Sequence, residues 1–308
     1  MTQLTETRIG SPELMASLSQ QVGNTPLLAI ESLGSDKVKV YGKAEWMQLG
    51  NSVKARAAFN IISSALRNGQ LQDRVLLDAS SGNTAIAYAS ICARLSIPIE
   101  ICLPANASAK RKSILHALGA QLHLTSELEG TDGAQREAKN LAEAHPDKYF
   151  YADQYNNDAN WKAHYYTTAL EIWEQTNKKL THFVAGLGTT GSFVGTAQRL
   201  KELNPEIRTI ALQPNSPMHF LEGWKHLPTA KVPGIYNDRN VDQLLEINSE
   251  DSIAFVKRIA REEGLLISPS SAANLLGAKR IADTLEEGVV VTILPDDISK
   301  YDEVLNMI

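Results

Sequence analysis

Apolar residues along this chain alternate between short continuous runs and longer stretches with helical spacing. Short runs bounded by polar or Gly/Pro punctuation predict buried strands, and the spaced stretches predict helices packed on one side. Strands are expected at Val38 to Glu45, Arg74 to Ala79, Ile99 to Leu103, Gln121 to Thr125, His182 to Leu187, Arg208 to Gln213 and Val289 to Leu294. Helices are expected from Ser52 to about Asn68, and at Ala85 to Leu95, Ala109 to Leu118, Gly133 to Ala144, Ala163 to Gln175, Phe193 to Leu203, Ile253 to Glu263 and Ala272 to Leu285. Residues 1–21 read as an arm with one short helix, and Pro214 to Tyr236 as an irregular stretch.

Strands that alternate with helices of this length give mostly parallel sheets covered on both faces. Right-handed crossovers bring the loops that follow the strands to one sheet edge, where ligands bind. The expected fold class is therefore α/β with two domains, each a mostly parallel sheet flanked by helices, and an active site in the cleft between them. Residues 45–155 are expected to form a smaller, mobile domain, and 1–44 with 156–308 a larger one.

Composition narrows the partners. The 308 residues are 43% hydrophobic and carry a formal charge of -5, with no long run of lysine and arginine. Such a surface does not suit nucleic acid. No apolar run approaches the ~18 residues that span a bilayer, and the charged N-terminus lacks a secretory core, so a cytoplasmic protein is expected, without a membrane partner. Cys92 and Cys102 have no metal-ligand or redox spacing and read as core residues. The histidines share no ligand spacing on one element, so no metal site is expected.

Candidate chemistry centres on Gly50-Asn51-Ser52-Val53-Lys54-Ala55-Arg56. Cap-type Asn51 and Ser52 place Lys54 at a helix start, where the dipole disfavours an ammonium and favours a nucleophilic amine. Schiff-base lysines need that condition; the alternative is a solvated lysine in a first turn. Gly186-Leu187-Gly188-Thr189-Thr190-Gly191-Ser192 follows a strand and opens a helix, the arrangement of an anion site. Its spacing also satisfies G-x-G-x-x-G, but a dinucleotide site needs an acidic residue at the end of the next strand, and this one ends at Leu212-Gln213. Two threonine hydroxyls fit a monophosphate cup better; a tight turn without a ligand is the other reading. Ser80-Ser81-Gly82-Asn83-Thr84 holds the equivalent place after another strand, where it suits a carboxylate or simply caps a helix. Ser270-Ser271 carries the same ambiguity.

Together these stretches resemble the cysteine synthases, particularly the B-type O-acetylserine sulfhydrylases, within the tryptophan-synthase β-like group of pyridoxal-phosphate enzymes. The resemblance covers nearly the whole chain. It rests on Gly23-Asn24-Thr25-Pro26-Leu27, Ser52-Val53-Lys54, Ser81-Gly82-Asn83-Thr84, Asp153-Gln154-Tyr155-Asn156-Asn157, Glu171-Ile172-Trp173, Gly188-Thr189-Thr190-Gly191, Val232-Pro233-Gly234-Ile235 and Ser270-Ser271. It implies that Lys54 bonds covalently to pyridoxal phosphate and that Gly188, Thr189, Thr190, Gly191 and Ser192 cup the phosphate. Asn83 would meet the ring oxygen and Ser270 the pyridine nitrogen; a hydroxyl there makes the ring a weaker electron sink. Ser80, Ser81, Thr84 and Gln154 would hold the substrate carboxylate.

The implied reaction is β-replacement on O-acetylserine or O-phosphoserine by a sulfur nucleophile, through an aminoacrylate, giving cysteine. A homodimer using the N-terminal arm is also implied. Alternatives are another nucleophile or outcome, such as cyanoalanine or diaminopropionate synthesis or elimination releasing hydrogen sulfide, and a cofactor-bearing scaffold that acts by binding a partner protein.

The chain departs from the family pattern around the expected site. Gln48-Leu49-Gly50-Asn51 replaces the usual Asn-Pro-x-Gly, Ala55 the aspartate after the lysine, and Ala85 a glycine; Ala272-Ala273 and Pro295-Asp296-Asp297-Ile298-Ser299-Lys300-Tyr301 also differ. These changes bear on the substrate more than on the cofactor. The distinctive Met218 to His226 stretch is expected to border the acceptor side, with Lys225 or His226 near the nucleophile.

Overall fold

The computed structural model describes residues 10–80 and 82–305. Ser81 and residues 1–9 of the expected arm lie outside the described residues. The strands are β1 Leu27–Ala29, β2 Val38–Ala44, β3 Val75–Ala79, β4 Ile99–Pro104, β5 Gln121–Thr125, β6 Tyr149–Tyr151, β7 His182–Gly186, β8 Arg208–Pro214, β9 Gln243–Ile247 and β10 Gly288–Leu294. The helices are α1 Pro12–Ser19, α2 Lys54–Arg67, α3 Asn83–Leu95, α4 Ala109–Ala117, α5 Gly130–Ala144, α6 Asp158–Ala163, α7 Ala169–Gln175, α8 Gly191–Leu203, α9 Ser249–Glu263, α10 Pro269–Ala282 and α11 Asp302–Leu305. Two compact units result, one of residues 10–23 with 54–154, the other of 24–53 with 155–305.

The smaller unit holds a sheet of order β5-β4-β3-β6 with parallel pairing throughout, Leu77 lying between Glu100 and Tyr151 in register. Leu77, Ala79, Cys102 and Tyr149 pack against Ala134 and Ala138 of α5. Both cysteines are buried and free, with burial raising their thiols far above the ordinary range, as core residues require. Strand β6 has no clear signature of its own because it is three residues long and forms only by pairing with β3.

The larger unit holds a sheet of order β1-β2-β10-β7-β8-β9, parallel except where β1 meets β2. Alternate residues of β7 serve opposite faces. Val184 packs in a cluster with Ala272, Leu275 and Ala278 of α10, whereas Phe183 and Ala185 join Phe193, Val194 and Ala197 of α8. Edge strand β9 escapes periodicity because most of it is exposed.

The unit limits differ from 45 and 155 for physical reasons. Residues 10–23 go with the smaller unit, where α1 lies on α3 and Gly10 on Leu66. Residues 45–53 stay with the larger unit, because the Glu45 amide donates to Leu294 O at 3.0 Å and the Val53 amide to Pro295 O at 2.8 Å. The helix expected from Ala163 begins earlier, at Asp158, because Asn157 caps it by accepting from the Ala159 amide at 3.0 Å. It passes through a π turn at His164–Thr168 before α7, and Gly195 of α8 lies so near that a Cβ there would strike the Trp161 carbonyl. Among the described residues no helix is long and apolar enough to cross a membrane.

Candidate active site

Lys54 opens α2 and is half-buried. The turn before it is left-handed at Gly50 (φ 73°) and Asn51 (φ 50°), a conformation that asparagine tolerates better than most residues. The buried Lys300 ammonium donates to Asn51 O at 2.8 Å, and Pro295 O holds the Val53 amide, so the C-terminal loop fixes the turn that presents Lys54. The departure at Lys300 therefore has a structural use.

In the smaller unit the loop after β3 is shorter than expected, because Asn83 and Thr84 already belong to α3. The Ser80 hydroxyl oxygen accepts the amides of Gly82 and Ala85, each at 3.3 Å, and so acts as a cap. Thr84 donates its hydroxyl proton to Gln154 Oε1 at 2.8 Å, while Gln154 Nε2 donates to Ala79 O at 3.1 Å. Thus Ser80, Asn83, Thr84 and Gln154 are brought together; Ser81 lies outside the described residues. Behind them sits Asp78, a residue that sequence reasoning missed. It is 1% exposed and accepts the Ala79 amide at 2.8 Å and the Gln154 amide at 3.4 Å.

In the larger unit, α8 begins at Gly191, so Gly191 and Ser192 form its first turn. Each glycine around the turn answers a close neighbour: a Cβ at Gly186 would overlap Trp224, at Gly188 the Gly223 carbonyl, and at Gly191 the Asn160 side chain. Asn160 Nδ2 donates to Thr189 Oγ1 at 3.1 Å. The Gly186 amide donates to Asn274 Oδ1 at 2.8 Å, and Asn274 in turn donates to Ile293 O. Thr190, at the helix N-cap, is held at φ 71°, and its buried hydroxyl has no hydrogen-bond partner among the described residues. A β-branched residue in that conformation is strained, and an orphaned buried hydroxyl is costly. Sequence reasoning missed Asn160 and Asn274; Asn274 stands between Ala272-Ala273 and Leu275-Leu276, and a polar residue within that apolar run was the available signal.

Gly223, Trp224 and Lys225 close over this turn. The Lys225 amide donates to Leu187 O at 2.8 Å, and the Lys225 ammonium stands 5.2 Å from the centre of the Tyr155 ring. Burial, reinforced by His226, holds His219 below its ordinary range. Ser270 was expected in a loop but lies in the first turn of α10, because Ser268 caps the helix and Pro269 fills the N1 position. Its hydroxyl is 3.0 Å from Ser268 Oγ and 3.5 Å from the buried Asp296 carboxylate, to which Tyr301 donates at 2.7 Å.

The residues of the larger unit fit a phosphate group. The helix start supplies amides and a positive dipole end, Thr190 supplies an unused buried donor, and the glycines keep side chains out of the turn.

Comparison with known proteins agrees. Residues 18–296 match the family model described as pyridoxal-phosphate dependent enzyme. The cysteine synthase of Aquifex aeolicus is 43% identical over 290 residues, covering 91% of this chain and 88% of the relative. Cysteine synthase B of Escherichia coli is 36% identical over 293 residues, covering 93% and 94%. A hydrogen sulfide-producing enzyme of Fusobacterium nucleatum superposes with a TM-score of 0.88 at 30% identity, covering 95% of this chain and 92% of that one. With its lysine at a helix start, its phosphate-type turn and relatives aligned along nearly its whole length, the chain belongs to the pyridoxal-phosphate dependent enzyme family.

Proposed function

We propose that this chain is a cysteine synthase-type enzyme, replacing the β-substituent of O-acetylserine or O-phosphoserine with sulfide or a related sulfur nucleophile to give L-cysteine. The observation that carries the reading is the strained Thr190 with its unpartnered hydroxyl at the start of α8, in a chain 43% identical to a cysteine synthase.

Bound pyridoxal phosphate supplies an electron-accepting ring that stabilises charge developing at the substrate α-carbon. The turn Gly188 to Ser192, with the Thr190 hydroxyl, holds its phosphate. Lys54 would hold it covalently, and its free amine would move the proton from and back to the substrate α-carbon. Asn83 holds the ring oxygen and Ser270 the ring nitrogen. Ser80, Ser81, Thr84 and Gln154 receive the substrate carboxylate. Because the Ser80 oxygen already accepts two amides, Ser80 contributes its proton. Lys225 lies on the acceptor side; its tie to Leu187 and its place over Tyr155 support that assignment. If Lys225→Ala and His226→Ala leave every kinetic constant unchanged, that assignment is wrong. The same reading includes a homodimer, which sedimentation would register as twice the chain mass.

The test is an absorbance spectrum of the purified protein before and after O-acetylserine, O-phosphoserine or serine, followed by sulfide. A visible cofactor band that changes with one of the activated serines, and cysteine formed on adding sulfide, is the expected result. Borohydride should fix the cofactor to wild-type protein and not to Lys54→Ala. Absence of any cofactor band overturns the reading. Likeness to the hydrogen sulfide-producing enzyme favours a second reading, elimination from cysteine, for which sulfide released from cysteine alone is the measure.

A further inference from the structure

Asp78 is a buried carboxyl that the reaction above does not use. It lies at the end of β3, and its two oxygens accept the amide of Ala79, next to Ser80, and the amide of Gln154. Those segments are tied again by the Gln154 side chain, which links Ala79 O to Thr84 Oγ1. One carboxyl thus holds the backbone at Ala79, which precedes Ser80, and at Gln154, whose side chain accepts from Thr84.

We propose that Asp78 is a positioning residue whose charge state sets the affinity of Ser80, Thr84 and Gln154 for the substrate carboxylate. This rests on the assignment of those residues to the carboxylate. Burial pushes Asp78 up to about 7, the amides of Ala79 and Gln154 oppose the rise, and Asp153 adds to it by repulsion. Among the described residues the groups that face it are Asp153, the Tyr88 hydroxyl of α3, buried without completing a hydrogen bond, and the Cys102 thiol of β4, which in turn faces Glu100 and Glu137. Burial keeps Tyr88 and Cys102 protonated near neutrality, so Asp153 is the one repelling charge among these neighbours.

A second carboxylate arriving above an ionised Asp78 meets repulsion in a poorly solvated site. Binding therefore favours the protonated form, and by linkage protonation favours binding to the same degree. Affinity should fall as pH rises through about 7, and binding at neutral pH should take up a proton.

The experiment uses wild-type, Asp78→Asn and Asp153→Asn holoenzymes, with L-serine affinity read by calorimetry from about pH 6 to about pH 8.5 in buffers of differing protonation enthalpy. Wild-type affinity should fall about fivefold across that range, beyond the contribution of the serine amine, with matching proton uptake. Asp78→Asn should hold its affinity and lack that uptake. Asp153→Asn, whose asparagine tolerates the left-handed φ of 43°, should move the fall to lower pH. If all three proteins share one pH dependence and one proton uptake, the proposal is overturned, and the Asp153→Asn shift decides it should Asp78→Asn fold poorly. The cofactor band in the same samples separates the two failures: no band in any protein sinks the proposed function, whereas a normal band and serine binding without the Asp78-dependent fall sinks only this inference.

Discussion

Replacing Thr190 by valine should stabilise the cofactor-free protein and weaken the holoenzyme. Valine keeps the shape and β-branching of threonine, so the strain at φ 71° is unchanged and only the hydroxyl is lost. Thr190 is 1% exposed and its hydroxyl lacks a partner among the described residues. Burying such a group unpaired costs about 1–3 kcal/mol, which valine removes from the apo protein. A hydroxyl donating to a phosphate oxygen makes a charge-assisted bond worth about 1.5–3 kcal/mol, so cofactor affinity should fall roughly ten- to a hundredfold. Urea unfolding of the apo proteins and titration of apoprotein with pyridoxal phosphate, followed at the cofactor band, give the two numbers. A lower unfolding midpoint for apo Thr190→Val, or unchanged cofactor affinity, would refute the assignment of this hydroxyl to the phosphate.

Further outcomes follow from particular contacts. In the larger unit the fully buried Lys43 pairs with Glu171 Oε2 at 2.7 Å and donates to Gln175, while Glu171 also accepts the Asn24 amide; Lys43→Met breaks this buried ion pair and should cost about 3–5 kcal/mol in urea unfolding. Gly188→Ala drives a methyl into the Gly223 carbonyl, a backbone group that can yield only by moving the neighbouring loop, and should cost about 1–3 kcal/mol and lower cofactor occupancy measured by absorbance. Because Asp78 titrates near 7 in the folded chain against an ordinary 3.8, the folded state holds the extra proton between those values, and wild-type stability should fall as pH rises through that window. Asp78→Asn should flatten that decline in melting experiments. Lys300→Met leaves Asn51 O without the donor seen here and should lower stability by about 1–3 kcal/mol, with Lys300→Arg restoring most of it.

Much of this protein is legible in the order of its residues. Alternating strands and helices, the lysine at a helix start and the glycine-rich turn before α8 are local patterns, because backbone propensity, capping and glycine's small size act over a few residues. Two mostly parallel sheets follow from that alternation. What tertiary structure decided are the properties that depend on which distant segments meet. Strands β6 and β9 exist through pairing with β3 and β8. Ser80 serves as a cap because α3 starts two residues earlier than its apolar run. Asn160 and Asn274 reach the phosphate-type turn from segments remote in sequence, the Thr190 hydroxyl is buried with no partner among the described residues, and Asp78 is sealed from water beneath Gln154. Burial and strain arise only when chains close on one another, and here they set the charge on Asp78 and the vacant hydrogen bond on Thr190.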